Sequence, residues 1–137
     1  MGSAGTKPAE PSVLESPPRH HRGYRASWIS CYDGDTCDFT LYLGLGIGIR
    51  QTVRFYGIDT PELRGSTREA GMAARDFVIN ILQSCGEIVL MVPQRKTCVF
   101  PDDCDERGRY GRLLANVMVD GQSLSTTLLQ AGHAVLY

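Results

Sequence analysis

Apolar and polar residues alternate along much of the chain after Tyr24, which is the pattern of half-buried β-strands. In the third such stretch, Val53 and Phe55 fall on one face and Arg54 on the other, because successive side chains of a strand point in opposite directions. This alternation predicts five strands, each bounded by turn residues. They are Tyr24–Asp33, Asp35–Leu43, Gln51–Ile58, Glu87–Val92 and Leu113–Val119.

Two further segments carry apolar residues at helical spacing. The first, Ala70–Ile81, follows a Ser-x-x-Glu capping box at Ser66–Glu69 and is predicted to end before Gly86. The second, Ser123–Ala131, is followed by Gly132, a residue that commonly ends a helix. The chain is therefore predicted to contain three strands, a helix, two strands and a helix, in that order.

This order predicts an α+β fold that is mainly β. The expected architecture is a five-stranded OB-type barrel, with one helix between strands 3 and 4 and a second helix at the C-terminus. Gly44, Gly46 and Gly48 predict a flexible hairpin tip between strands 2 and 3. Residues 1–22 are rich in Pro, Gly, Ser and Ala and predict a disordered N-terminal tail. A single domain is expected over residues 23–137.

Composition places the chain among ordinary globular proteins, with 137 residues, 42% hydrophobic and 21% charged. No apolar run has the length of a membrane span, and no stretch resembles a secretory signal. We therefore expect a cytoplasmic protein that does not bind membranes, with secretion as the alternative. The chain is also expected to be a monomer. The 14 basic and 15 acidic residues nearly balance, which argues against a broad basic surface for nucleic acid and favours a compact site.

The chain has five cysteines, an odd number, and they are scattered along the sequence. Small secreted proteins held together by disulfides normally have an even number. We predict free thiols in or near the core. Cys98 and Cys104 flank one short loop, and a bridge between them would require an oxidising compartment. The five are Cys31, Cys37, Cys85, Cys98 and Cys104.

Two acidic motifs are candidates for metal binding. One is Asp33-Gly34-Asp35-Thr36, at a turn, and the other is Asp59-Thr60-Pro61-Glu62, at the end of the third strand. Carboxylate and carbonyl oxygens suit a hard cation such as calcium or magnesium. Taken alone, each motif is equally typical of an ordinary turn, and the first lacks the later ligands of an EF-hand.

Two basic features are candidates for phosphate binding. Arg54 lies five residues before Asp59, and Arg107–Arg112 combines three arginines with Tyr110. A guanidinium can bind a phosphate through two hydrogen bonds, and a tyrosine can stack on a base. The ordinary alternatives are a surface arginine packed on the sheet and a basic turn. Together with the carboxylates, however, these arginines make up the components of phosphoryl transfer.

Three motifs occur in an order and spacing that are hard to attribute to chance. They are Tyr32–Thr36, Arg54–Glu62 and Arg109–Ala115. At these motifs the chain resembles the staphylococcal-nuclease (thermonuclease) family, over residues 24–137. The resemblance implies an OB-type five-stranded barrel. It also implies a calcium-dependent endonuclease that acts on DNA and RNA and leaves 3′-phosphates.

The resemblance implies roles for the acidic residues and for one backbone carbonyl. Asp35 and Asp59 match the calcium carboxylate ligands of the family, and the Thr60 carbonyl matches a third ligand. Glu62 matches the residue that activates or orients the attacking water. Nucleic acid is the implied partner and Ca²⁺ the implied cofactor.

The resemblance also implies roles for the basic residues. Arg54 and Arg112 match the arginines that bind the phosphate and stabilise its transition state, and Arg112 also matches the one that assists departure of the 5′-oxygen. Arg109 and Tyr110 match positions that contact the nucleotide. In two respects the chain departs from the family: its loop between Asp35 and Arg54 is longer, and the residue before Arg109, often acidic, is a glycine.

Two other functions fit parts of this pattern. One is a non-catalytic OB-fold module of the same family that binds nucleic acid or a protein. The other is a structural or interaction protein, which would not explain why the charged residues follow the family's order. Degenerate family members usually lack one or more of the charged site residues, whereas this chain has all five. They are Asp35, Arg54, Asp59, Glu62 and Arg112.

Overall fold

The computed structural model describes residues 21–94, 105, 107 and 111–137. Within these ranges, strands form most of the regular structure. The strands are β1 (His21–Asp33), β2 (Thr36–Gly44), β3 (Ile47–Phe55), β4 (Ile58–Asp59), β5 (Ile88–Pro93), β6 (Leu113–Val119), β7 (Gln122–Ser123) and β8 (Val135–Leu136). The helices are α1 (Arg68–Ser84), preceded by a 3-10 helix at Gly65–Thr67, and α2 (Leu124–Gln130).

The five long strands close into a ring. β1 pairs antiparallel with β2 and β5, β2 pairs with β3, and β5 pairs with β6. A short parallel pairing of β3 with β6, from Val53↔Leu113 to Phe55↔Ala115, closes the ring. The predicted OB-type fold is therefore confirmed, with α1 between the third and fourth long strands and α2 near the C-terminus.

Alternate residues of the strands fill the barrel. Val53 and Phe55 are buried in the core while Arg54 lies on the opposite face, as the period of two predicts. Phe39 of β2 and Leu90 of β5 are fully buried beside them. Burial of each large apolar side chain contributes about 1.5–3 kcal/mol, so this core holds the strand ends in place.

Helix α1 packs one face against the barrel, but it does not begin as predicted. Its N-cap is Thr67, whose side chain makes no capping hydrogen bond, so the Ser66–Glu69 capping box is wrong. The Thr67 hydroxyl donates instead to the Glu62 and Arg64 carbonyl oxygens. Ser66 lies inside the preceding 3-10 turn, which removes it from the cap position. The buried residues of α1 are Gly71, Ala74, Val78 and Leu82.

The β2–β3 hairpin is longer than predicted. β3 begins at Ile47, four residues before the predicted start at Gln51. The connecting loop is only Leu45 and Gly46, both at positive φ (56° and 76°), as a type I′ turn requires. β1 pairs with β2 only as far as Leu41, so the tip extends beyond the barrel and Leu45 is 98% exposed.

The cysteines differ from the prediction. Cys31 and Cys37 lie directly opposite one another on β1 and β2 and form a disulfide, so the free-thiol prediction is wrong for this pair. The reason is strand register, which brings two positions six residues apart into contact across the turn. Cys85 is free, as predicted. Cys98 and Cys104 lie outside the described residues.

At the N-terminal side, β1 begins at His21, two residues before the predicted start of the domain. The rest of the predicted tail, residues 1–20, lies outside the described residues. Neither described helix combines the length and the apolar character that crossing a membrane would require.

Candidate active site

One end of the barrel carries the charged residues predicted from the sequence. β2 begins and β3 ends there, because Thr36 pairs with Arg54, and β6 begins beside them. A cleft of about 820 Å³ opens at this end. Six of the predicted site residues line it. They are Asp35, Arg54, Asp59, Thr60, Glu62 and Arg112.

Asp35 is a buried carboxylate at the base of the cleft. Its Oδ2 accepts a hydrogen bond from the Thr60 amide (3.0 Å), and its Oδ1 accepts one from the Thr36 hydroxyl (3.1 Å). Arg54 Nη1 lies 3.3 Å from Oδ2. Burial acts to raise the pKa of Asp35, but hydrogen bonds with Asp33 and Thr60 and the charge of Arg54 lower it below its usual value. Asp35 is therefore held ionised.

Arg54 connects the two carboxylates predicted to bind metal. Its Nη2 donates to Asp59 Oδ1 at 2.8 Å, while Nη1 faces Asp35. Nη1 also donates to the Ile58 carbonyl (2.9 Å) and the Phe55 carbonyl (3.2 Å). Four acceptors thus fix the guanidinium in one orientation, and its position is set before any ligand arrives.

Asp33 lines the same cleft; the sequence included it in an acidic candidate motif, but the family resemblance gave it no role of its own. Its Oδ1 accepts a hydrogen bond from the Asp35 amide at 3.2 Å. Burial, together with the hydrogen bond and negative charge of the neighbouring Asp35, raises its pKa to about 6. Asp33 thus holds its proton more readily than an exposed aspartate. Its place two residues before Asp35 was the available signal.

Two glycines pack closely against the Thr60–Glu62 segment. A Cβ on Gly34 would lie 3.0 Å from the Thr60 side chain, and a Cβ on Gly71 would lie 2.7 Å from the Glu62 carbonyl oxygen. The turn therefore packs against the Thr60 side chain, and helix α1 packs against the Pro61 and Glu62 backbone. The buried Thr60 hydroxyl has no hydrogen-bond partner within the described part of the chain. This leaves an oxygen at the cleft without a protein partner there.

Glu62 differs from the other carboxylates in being open to solvent. Its side chain is 75% exposed, and Arg64 Nε lies 3.8 Å from its Oε1. Its backbone carbonyl accepts the Thr67 hydroxyl hydrogen bond (2.8 Å), so the main chain is held while the carboxylate stays at the cleft edge. An exposed carboxylate at this edge can reach a water molecule and accept its proton.

Arg112 and Arg54 line the same cleft, and Tyr137 lies above Arg54. Arg112 Nη1 is 3.5 Å from the Thr36 hydroxyl. The Tyr137 ring centre is 5.5 Å from the Arg54 guanidinium carbon, a cation–π contact that sequence reasoning missed. It arises because β8 pairs with β4, a long-range contact without a local signal. Arg109 and Tyr110 lie outside the described residues.

The donor chemistry of the cleft fits a hard cation. Asp35, Asp59 and the Thr60 carbonyl supply oxygen ligands, and each carboxylate has lone pairs beyond those used by Arg54. Among the described residues, no group of three or more His, Cys, Asp or Glu side chains is placed to hold a metal ion. A cation here would therefore also need carbonyl and water oxygens, which calcium accepts.

Comparison with known proteins agrees with this arrangement. Residues 52–137 match the family described as staphylococcal nuclease homologue. Two similar proteins of Bacillus subtilis (strain 168) are the SPbeta prophage-derived endonuclease YokF, 36% identical over 102 residues, and endonuclease YncB, 35% identical over 102 residues. Each alignment covers 74% of this chain, but only 30% of YokF and 43% of YncB, so the chain spans less than half of either relative. The chain belongs to the staphylococcal nuclease homologue family.

Proposed function

We propose that this chain is a calcium-dependent endonuclease that hydrolyses DNA or RNA and leaves 3′-phosphate ends. The observation that carries the proposal is the convergence of two arginines and three carboxylates around one cleft. Phosphodiester hydrolysis requires an activated water and compensation of the charge that develops on phosphorus, and these side chains are of the types that could supply both. The names of the two relatives, both endonucleases, support the same activity.

Asp35, Asp59 and the Thr60 carbonyl would hold the calcium ion. Calcium tolerates an irregular oxygen shell, whereas magnesium requires near-octahedral geometry, so two carboxylates and a carbonyl favour calcium. When bound, the ion would supply positive charge that offsets the negative charge of the phosphate. The low pKa of Asp35 keeps this ligand ionised without the metal.

Glu62 would accept the proton of the attacking water. The water oxygen forms a bond to phosphorus while the bond from phosphorus to the 5′-oxygen breaks, which leaves the phosphate on the 3′ side. The departing 5′-oxygen takes a proton from solvent. Because Glu62 is mostly exposed, its carboxylate can exchange the proton with bulk water after each turnover.

Arg54 and Arg112 would bind the phosphate from two sides. Their guanidinium groups would act as hydrogen-bond donors. Charge grows on the phosphate oxygens and on the leaving oxygen, so preoriented donors stabilise the transition state more than the ground state. Arg112 would donate to the departing 5′-oxygen. Arg109 and Tyr110 would contact the nucleotide.

The test is a cleavage assay on single-stranded and duplex substrates in calcium, in magnesium and in excess chelator. We expect cleavage in calcium, poor cleavage in magnesium and none in chelator. Product ends should block polymerase extension until a phosphatase removes the 3′-phosphate. The Glu62→Gln protein, purified in parallel, controls for a contaminating nuclease, because a contaminant would be unaffected by the substitution.

Two results would overturn the proposal. Full activity in excess chelator would remove calcium from the reaction. Binding of the oligonucleotide with no cleavage under any condition would identify the chain as a non-catalytic nucleic-acid-binding module.

A further inference from the structure

A second cleft adjoins the candidate active site on the outer face of the β2–β3 hairpin. It has a volume of about 460 Å³. Asp33, Thr36 and Arg112 line both clefts, so the two clefts are neighbours at the arginine assigned to the phosphate. A polymer held at Arg112 therefore lies at the edge of this second cleft.

Asp38 organises the wall of the second cleft. Its side chain is only 3% exposed, and it accepts hydrogen bonds from the Thr52 hydroxyl (2.7 Å), from Arg50 Nη2 (2.7 Å) and Nε (3.1 Å), and from the Tyr32 hydroxyl (3.3 Å). One buried carboxylate thus fixes three side chains of the cleft. Arg50 and Tyr32 are positioned before a ligand binds, which lowers the entropy lost on binding.

Both fixed side chains still present their binding groups to solvent. Tyr32 is 56% exposed and the Arg50 side chain is 63% exposed. Asp38 uses Nε and Nη2 of Arg50, and no other residue of the described chain bonds to Nη1. Proteins bind single-stranded nucleic acid with this combination of groups: an exposed aromatic ring stacks on a base, and an exposed guanidinium contacts a phosphate.

Arg107 adjoins the second cleft through Gln51, although it lines a different pocket of the barrel. Arg107 Nη1 donates to the side-chain oxygen of Gln51, which lines the second cleft. Arg50 is four residues from Arg54 on the same face of β3, a separation of about 13 Å along a strand. Arg50 is thus too far from Arg54 for both to contact the same phosphate. A neighbouring phosphate of the same nucleic-acid strand could reach Arg50.

We infer that the second cleft is a nucleotide-binding subsite for single-stranded DNA or RNA, in which Tyr32 stacks on a base and Arg50 contacts a phosphate next to the cleaved one. The inference rests on the proposed nuclease function. It adds a dependence of affinity on substrate length: a dinucleotide fits within the main cleft, whereas a longer strand also occupies the second.

The experiment measures binding and cleavage separately. Binding of dye-labelled oligodeoxythymidylates of two and eight nucleotides is measured by fluorescence anisotropy in calcium, in a Glu62→Gln background that preserves the substrate. We expect the eight-nucleotide strand to bind more tightly. Tyr32→Leu should weaken its binding about tenfold, equivalent to about 1.4 kcal/mol, and leave the dinucleotide unchanged.

Conservative variants distinguish stacking from a structural effect. Tyr32→Phe loses the hydrogen bond to Asp38 but keeps the ring, so it should retain the advantage of the longer strand. Arg50→Gln should reduce the slope of log affinity against log salt by about 0.7, the value for one phosphate contact to a single strand. Tyr32→Leu should leave that slope unchanged. Melting temperatures of all variants show whether the fold is kept.

Matched controls come from the same barrel outside both clefts. Arg25→Gln removes the same charge from an exposed position of β1, and Tyr42→Leu removes an exposed ring from β2. Neither should alter the dependence on length. Two results would overturn the subsite. One is equal affinity of the Glu62→Gln protein for both strand lengths, and the other is an equal loss of affinity for the eight-nucleotide strand in the control variants.

The cleavage arm separates this inference from the proposed function. Tyr32→Leu and Arg50→Gln could lose the tighter binding of the longer strand while the protein that retains Glu62 shows no cleavage. In that case the subsite stands and the nuclease proposal fails. If calcium-dependent cleavage is present but every variant keeps the dependence on length, the nuclease proposal stands and the subsite fails.

Discussion

The two ends of the β2–β3 hairpin are built differently. At one end, Thr36 faces Arg54, and β3 also pairs with β6, so the strands are held within the closed barrel. At the other end, Gly44 faces Ile47, and β2 and β3 pair only with each other beyond Leu41. Charged side chains crowd the closed end, whereas large apolar side chains are exposed at the tip.

The difference shows where this fold can hold a reactive cluster. Neighbouring carboxylates repel each other, and here Arg54 and backbone amides offset that repulsion only because several strands fix them together. The tip has no comparable support from the described part of the barrel. We therefore expect variants at the closed end to change activity, and variants at the tip to change local stability alone.

The largest expected effect is that of Arg112→Ala. Removing one preorganised donor of this kind typically lowers the rate by about 10²–10³-fold, or about 3–4 kcal/mol. The barrel should remain folded, because Arg112 lies at the cleft and not among the core residues. Initial cleavage rates in calcium and thermal melting, measured on the same samples, check both expectations.

The matched comparison for this variant is Arg25→Gln, at an exposed arginine of β1 that lines neither cleft. It should keep the wild-type rate within a factor of about two. An Arg112→Ala protein that cleaves as fast as the wild type would show that other residues stabilise the transition state. The closed end of the hairpin would then not differ from the tip in its effect on activity.

Gly71→Ala is expected to have the next largest effect. The added Cβ would lie 2.7 Å from the Glu62 carbonyl oxygen and 2.8 Å from the Pro61 one, so helix α1 and this backbone must move apart. Such overpacking costs about 1–3 kcal/mol, partly offset by about 1 kcal/mol of better helix propensity. Displacement of Glu62 should also lower the cleavage rate. Denaturant unfolding and the cleavage assay measure the two effects.

Gly48→Ala makes the same chemical change near the tip. There the nearest contacts of the Cβ would be the Thr40 and Tyr42 side chains, at 3.1 and 3.3 Å, and these partly exposed side chains can shift. It should change stability by less than about 0.5 kcal/mol and leave cleavage unchanged. If Gly71→Ala were as harmless as Gly48→Ala, the contact between α1 and the Glu62 backbone would be looser than the structure indicates.

Asp38→Asn tests the middle of the hairpin through its dependence on pH. Burial acts to raise the pKa of Asp38, but hydrogen bonds from Thr52 and Arg50 outweigh it and hold the pKa below the usual 3.8. The ionised form thus stabilises the fold above the unfolded pKa, and this contribution is lost as pH falls through the folded pKa. We expect a loss of about 1–2 kcal/mol at pH 7, since hydrogen bonds to charged groups contribute about 1.5–3 kcal/mol and solvent weakens the share of exposed Arg50.

The measurement is the melting temperature of wild type and Asp38→Asn between pH 3 and pH 7. Their difference should be constant near neutrality and shrink below about pH 4. Asp76→Asn, at an exposed position of α1, is the control and should show little difference at any pH. A difference between wild type and Asp38→Asn that persists undiminished at pH 3 would mean that shape, and not charge, explains the effect.

The closed end was predictable from sequence to the extent that its signals are local. Alternation placed Val53 and Phe55 in the core and Arg54 on the opposite face, because strand geometry fixes that relation within a few residues. The acidic turns and Arg112 could be identified by motif and spacing. Their convergence in one cleft required the resemblance to a known family, because spacing alone does not determine which strand ends meet.

Other features depend on contacts that no local pattern contains. The Cys31–Cys37 disulfide follows from strand register, and the position of Tyr137 over Arg54 follows from the pairing of β8 with β4. The Ser66 capping box failed because a 3-10 turn precedes α1 and competes for the same residues. Tertiary structure overrode a local propensity there, as commonly happens at helix ends.

The last expected effect, and the only stabilising one, is that of Leu45→Asn at the tip. Leu45 has φ of 56°, a left-handed conformation that costs an ordinary L-residue roughly 1–2 kcal/mol and that asparagine adopts more readily. Because its side chain is 98% exposed, little packing should be lost on substitution. We expect the free energy of unfolding to rise by roughly 0.5–1 kcal/mol, which raises the melting temperature by a few degrees. Cleavage should not change, because the tip lies about 26 Å along the hairpin from Thr36. Leu45→Val is the matched control and should destabilise, since a β-branched residue is least tolerant of positive φ. If Leu45→Asn instead lowered the melting temperature, the Leu45 side chain would be making a stabilising contact in solution, and the contrast between a supported end and an unsupported tip would fail.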